Sequence, residues 1–222
     1  MAISNTTVLL LLAPILLLGL VLLMSSRRKQ TDVEANIPEE VMTATLDKVS
    51  YENSENQKKE ELLHNFIWRI RRADDYGDES IASMPARLQV VHFINELEAE
   101  VNNGGFLQFF TNSSGRYVAE TRAALTQIGA HYTVGLLDEA LNLVLLHEES
   151  PDKLRGRIEG YDLHEIFHSS EFYENDELIS DMDAIDQKFY QYEDNLMELK
   201  LRYFDNAPDE FWEKIESRYR FE

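Results

Sequence analysis

His164-Glu165-Ile166-Phe167-His168 is the run whose residue types and spacing most directly suggest chemistry. On a helix it reads H-E-x-x-H: histidines at i and i+4 share one face and can hold zinc, while the intervening glutamate polarises metal-bound water. Glu171, Glu174, Asp181 or Asp183 could supply a third ligand. The surroundings argue against this chemistry. Asp162 precedes the run and Ser169-Ser170 follow it, so its helix has little length to bury itself, and no strand-rich half is present to form a substrate cleft. The pattern reads as a coincidence within an acidic sequence, on a short surface helix with Ile166 and Phe167 turned inward. No metal and no other cofactor is expected, and a zinc hydrolase using His164, Glu165 and His168 is the alternative from the enzyme class.

Other catalytic arrangements have less support. Asp181, Asp183 and Asp186 form an oxygen-rich run, "DMDAID", but it lacks the glycine and terminal glutamate of a calcium loop. A solvated acidic face is the simpler reading. There is no G-x-S-x-G elbow. The absence of cysteine excludes disulfides, thiol catalysis and cysteine-ligated metal.

Charge is the more informative property. The chain of 222 residues carries 41 acidic and 21 basic side chains, a formal charge of −20. The first 26 residues are uncharged and Arg27, Arg28 and Lys29 follow, which leaves −23 on residues 30–222. Such acidity disfavours direct binding to nucleic acid and favours a basic partner. It is densest over residues 148–198, where sixteen acids face four bases. Glu171, Glu174, Asp176, Glu177, Asp181, Asp183, Asp186, Glu193, Asp194 and Glu198 are the candidates for a fixed array of carboxylates presented to a basic groove as phosphates would be. Binding of that kind weakens with salt. A merely solubilising face is the plain alternative.

Three parts follow along the chain. Residues 1–26 hold the uncharged run Thr7–Met24, 18 residues that span about 27 Å as a helix and match a bilayer core. Arg27-Arg28-Lys29 just after it keep the C-terminal side in the cytoplasm, so a single-pass membrane protein is expected. Residues 27–56 are polar and read as a tether with one short helical segment near 38–48. Residues 57–222 read as a single all-α domain of about six or seven helices.

The helices announce themselves by apolar period. Leu62, Leu63, Phe66, Ile67 and Ile70 form one stripe; Val90, Ile94, Leu97 and Val101 form a second, ended by "VNNGG". Helices are expected at 116–128 and 134–147, separated by Gly129. Met182, Ile185, Phe189, Tyr192, Leu196, Leu199 and Tyr203 alternate spacings of three and four, which predicts one long amphipathic helix. A last helix restarts at Pro208, with Phe211, Ile215 and Tyr219 on one face.

One stretch goes beyond periodicity. Glu100-Val101-Asn102-Asn103-Gly104-Gly105-Phe106, then Gln108-Phe109-Phe110, Asn112-Ser113-Ser114-Gly115, and later Ala124-Leu125 with Ile128-Gly129-Ala130, resembles the signature of the DNA-mimic protein family, most of whose members carry a domain of unknown function. Residues 185–212 are similar to that family's closing helix pair. Together the two matches cover much of residues 60–215. The resemblance implies an all-α monomer or homodimer that binds a DNA-binding protein at its DNA site, without catalysis. The motif itself is not acidic. It reads either as structural, with Asn112 and Ser113-Ser114 capping the next helix, or as a polar pocket lined by Glu100, Asn102, Asn103 and Gln108. The function expected is that of a non-enzymatic acidic binding module for a basic protein such as a DNA-binding regulator, the alternative being an acidic inhibitor or immunity-like protein against another basic protein.

Overall fold

The computed structural model describes residue 43, residues 45–145 and residues 175–219. Among the described residues there are nine α-helices and no strand: α1 (Lys48–Glu52), α2 (Asn56–Ala73), α3 (Asp78–Ser83), α4 (Ala86–Thr111), α5 (Val118–Ile128), α6 (His131–Leu145), α7 (Asp176–Phe189), α8 (Leu196–Asp205) and α9 (Asp209–Arg218), with a 3₁₀ turn at Ser113–Tyr117. The all-α expectation is met, with more and shorter helices than the sequence announces.

Helix α4 is the centre. Leu88, Val90, Val91, Phe93, Ile94, Leu97 and Val101 are buried and lie on several sides of it. A helix apolar around most of its circumference must be surrounded, and α2, α5, α7 and α8 pack against it. Helices α5 to α7 contact in sequence order, α6 on α5 and α7 on α6. The predicted stop at "VNNGG" takes the form of a break inside α4. Gly104 (φ −162°, ψ 25°) and Gly105 (φ 80°, ψ 178°) leave helical geometry, and Phe106–Thr111 resume it in a new direction. Gly105 occupies a backbone region that L side chains rarely adopt. Phe106, Phe109 and Phe110 then fill the core at 0 % exposure each.

Two expectations need correction. The single long helix over 182–203 is two helices, α7 and α8, joined through residues 190–195, where Tyr192 takes φ 49°. Asn195 starts α8 by accepting the Glu198 N–H at 3.2 Å. The three–four spacing survives the break because Tyr192 still stacks on Phe189, with ring centroids 5.4 Å apart. Apolar period reports which residues lie against their apolar neighbours, not that the helix between them is continuous, and Tyr192 itself stays exposed. The second correction concerns the boundary at Gln57. Leu46 and Tyr51 are buried in the same core as Phe204 and Trp212, so the globular unit includes α1. Helix α1 begins at Lys48, capped by the Asp47 carboxylate on the Ser50 N–H; most of the helical segment expected near 38–48 lies outside the described residues.

The expected anchor, Thr7–Met24, lies outside the described residues. Among the described residues, no helix is long and apolar enough to cross a membrane.

Candidate partner-binding face

Helix α7 has a clean start. Asn175 accepts the Leu178 N–H at 3.0 Å, and Asp176 and Glu177 place negative charge in the first turn, where the free N–H groups favour it. Leu178, Met182, Ile185 and Phe189 then form the buried stripe against α4 and α6. The helical period that turns these four inward turns Asp176, Glu177, Asp181 and Asp183 outward, and all four are exposed. Glu193, in the connection to α8, and Glu198, in the first turn of α8, are exposed as well. Among the described residues, none of these six carboxylates makes an ion pair or a side-chain hydrogen bond.

Some carboxylates elsewhere on the surface are partnered. Asp209 holds Lys48 at 2.6 Å, Asp205 holds Lys59 at 2.8 Å, Asp138 holds Arg122 at 2.7 Å and Glu139 holds Lys188 at 2.9 Å. Lys188 is the basic side chain of α7's last turn, and it reaches across to α6 instead of neutralising its own helix.

Two members of the predicted array do not belong to the face. Asp186 is 7 % exposed and points inward, where its Oδ1 accepts the Phe106 N–H at 2.8 Å. Burial pushes this carboxyl above the usual carboxylate range; the Phe106 N–H opposes that shift and Asp183 adds to it. Asp194 is half-buried and accepts both the Thr133 N–H at 2.8 Å and its hydroxyl at 3.0 Å, so it caps the first turn of α6. Glu171 and Glu174 lie outside the described residues, as does His164-Glu165-x-x-His168. Among the described residues no group of three or more His, Asp or Glu side chains is placed to hold a metal ion; Asp181 and Asp183 face outward while Asp186 faces inward.

The motif around "VNNGGF" is a hydrogen-bonded brace rather than an open pocket. Glu100 sits at its hub. Its Oε2 accepts from Gln108 Nε2 at 2.6 Å and from Asn112 Nδ2 at 2.7 Å, and its Oε1 accepts from the Ser114 hydroxyl at 3.1 Å. Asn103 donates to Gln108 Oε1 at 3.1 Å, and Asn102 donates to the Tyr192 hydroxyl at 2.6 Å. Asn112 and Ser114 therefore do not cap the next helix, as the sequence suggested; their side chains turn back to Glu100. Gly115 has no room for a side chain, since a Cβ there would stand 2.7 Å from the Phe109 carbonyl oxygen.

A second polar centre was missed by sequence reasoning. Lys200 is 3 % exposed, and its ammonium donates to Asn95 Oδ1 at 2.7 Å, Glu98 Oε2 at 2.7 Å and Glu60 Oε1 at 3.0 Å. It joins α2, α4 and α8 beneath a groove of about 460 Å³ that is also lined by Gln57, Glu61, His64 and Asn102. A signal was present: Leu196, Lys200 and Phe204 are spaced four apart on the inward face of α8. A lysine on such a stripe needs internal partners.

No curated protein and no solved structure matches the chain. The family comparison does match, over residues 82–207, more than half of the chain and a span that includes the α4 break, α7 and α8. With an acidic, all-helical body and the motif in place, the chain belongs to the DMP19-like protein family, a DNA-mimic family.

Proposed function

We propose that the chain binds a basic, DNA-binding protein through the outward face of α7 and the start of α8, its carboxylates standing where DNA phosphates would. The observation that carries this reading is the set of six exposed acids, Asp176, Glu177, Asp181, Asp183, Glu193 and Glu198, that follow one another along α7 and into the start of α8 without cationic partners among the described residues. Unpaired like charges on one face repel one another and hold a counterion layer. A basic groove relieves the repulsion and releases the counterions. Membership of a DNA-mimic family supports the same reading. The work proposed is binding, not catalysis. Residues 7–24 are proposed to hold the chain at a membrane with the acidic body on the cytoplasmic side, so that a captured regulator is withdrawn from DNA; resistance of the full chain to alkaline extraction from membranes tests this.

The test of the binding reading is a pull-down from host lysate, with retained proteins eluted by a salt gradient. A basic DNA-binding protein should be retained, released at elevated salt and displaced by duplex DNA. The combined change Glu177→Gln, Asp181→Asn and Asp183→Asn should flatten the salt dependence of binding, by about one unit of slope per charge removed. Retention that duplex DNA does not displace would refute DNA mimicry for that partner and leave an inhibitor of another basic protein. Unchanged salt dependence in the triple variant would refute this face.

A further inference from the structure

We infer that the Asn102–Phe106 turn is the seat that fixes where the acidic face of α7 stands, with Asp186 as the positioning residue. The inference rests on the reading of that face as the partner-binding surface, but it concerns the pose of the helix rather than the identity of the partner.

The C-terminal half of α7 and the residues after it meet the break in α4 at three polar points. Asp186 Oδ1 accepts the Phe106 N–H at 2.8 Å. The Tyr190 hydroxyl donates to the Val101 carbonyl at 2.9 Å, and Asn102 Nδ2 donates to the Tyr192 hydroxyl at 2.6 Å. The rings of Phe106 and Phe189 close the same junction edge to face, 5.6 Å apart. All three hydrogen bonds fall within six residues of α4, beside the glycine break. Phe106 is where helical geometry resumes after Gly105, so its N–H lacks the usual acceptor one turn earlier and is free to meet a carboxylate from another helix.

Gly105 makes the approach possible. A Cβ at that position would stand 2.0 Å from Asp186 Oδ2, so the carboxylate occupies the volume that any side chain would need. Asp183, one turn before Asp186, faces solvent with the other unpaired acids. One helix thus carries an inward acid that docks it and outward acids that present charge. This gives the non-acidic motif a place in an acidic protein's function. It lies behind the charged face and sets its position, touching no partner.

A face that imitates DNA depends on the placement of its charges, so a loose helix of the same charge should bind less well. The chain has no cysteine, so Gln57→Cys with Ser180→Cys places just two spin labels, one on α2 and one on α7. Pulsed electron-spin distances are then measured in the full chain with Asp186, Asp186→Asn or Asp186→Ala. Asparagine still offers an acceptor to Phe106 and should keep the parent distribution. Alanine should broaden it or shift it by about 3 Å, two residues' rise along a helix. The two variants have equal net charge, so a difference between them reports placement alone. If alanine leaves the parent distribution intact, the seat is overturned.

Binding is read separately, on the unlabelled full chain, with the H2A–H2B histone dimer as a rigid basic probe. Asp186→Ala should bind about tenfold more weakly than Asp186→Asn, a difference of about 1.4 kcal/mol. Equal binding alongside a shifted distance would keep the seat and remove the partner-face reading. Should the alanine variant fail to fold, Tyr190→Phe deletes only the hydroxyl on Val101 and must still broaden the same distance for the seat to stand.

Discussion

Two groups of carboxylates on this chain have opposite fates. Glu60 and Glu98 converge with Asn95 on the buried ammonium of Lys200, and their charge ties α2, α4 and α8 together. Asp176, Glu177, Asp181 and Asp183 point away from the core of α7 and meet no cation among the described residues. The first group shows how an acidic helical protein uses charge to hold its fold. The second gives the fold little beyond the two residues in α7's first turn, and at close spacing it adds repulsion. A run of charge spent without structural return along one helix is a surface to examine for a partner.

The largest expected effect comes from breaking the first group. Lys200→Met removes the ammonium but leaves two carboxylates turned toward a position now apolar. Breaking a buried pair on one side costs about 3–5 kcal/mol, and because Glu60 and Glu98 keep some solvent contact the lower end applies, about 3 kcal/mol. Urea unfolding checks this, as a lower midpoint with the slope unchanged. The comparison would collapse if Lys200→Met unfolded no more easily than the parent.

Next in size is Gly105→Ala. A positive φ of 80° is strained for alanine, and its Cβ would collide with the Asp186 carboxylate. About 2 kcal/mol or more should be lost, since a residue held in a disfavoured backbone region costs about 1–3 kcal/mol before any clash. Adding Asp186→Gly to Gly105→Ala removes the clash but keeps the strain and deletes the acceptor of the Phe106 N–H, so thermal unfolding of the double variant should recover at most a small part of the loss.

How much of this was legible in the sequence varies with the kind of evidence. The stripes at Leu63, Phe66, Ile67 and Ile70 and at Val90, Ile94, Leu97 and Val101 appear as buried helix faces because 3.6-residue periodicity is a direct record of burial. The break at Gly104-Gly105 was legible for a similar local reason. The end of α7 was not, because Tyr192 keeps the apolar register while its backbone turns left-handed. The acidic face was legible only as composition. Sequence cannot separate Asp183 from Asp186, three residues apart in one acidic run, although one faces water and the other the Phe106 N–H. Lys200 could have been found from its place on an apolar stripe, but its partners come from residues more than 100 positions away.

A smaller and more diagnostic effect distinguishes Asp186 from its neighbours by pH. Burial raises its native pKa above the unfolded value, so over the interval between the two the folded chain binds more protons than the unfolded one. In that interval stability falls as pH rises, the reverse of what a salt-bridged aspartate gives. At pH 7 the native state therefore carries the cost of a buried charge that asparagine does not. Asp186→Asn should be more stable than the parent at pH 7, and the gap should close as pH falls through the native pKa toward the unfolded one, where the aspartate is protonated in both states. Urea midpoints of parent and variant across pH 3–7 test this pair by pair, so that the titration of the other acids cancels. A gap that widened on acidification would mean that the Phe106 N–H stabilises the ionised form more than burial opposes it.

Neutralising the outward group should change stability least. Replacing Asp183 by Asn removes a charge without a partner, and stability, read by thermal unfolding, should hold or rise slightly, by about 0.5 kcal/mol or less, as is usual for an exposed substitution. Asp183 is also one of the charges that holds the Asp186 carboxyl above its usual range. Asp183→Asn should accordingly move the pH at which the Asp186→Asn gap closes downward, while Glu177→Gln, which is not among the influences on Asp186, should leave it in place. Comparing the two substitutions separates the charge that reaches into the seat from the charge that only faces outward. If both moved the closing point equally, the division of α7 into an inward acid and an outward array would lose its physical basis, because Asp186 would then be responding to net charge rather than to its immediate neighbour.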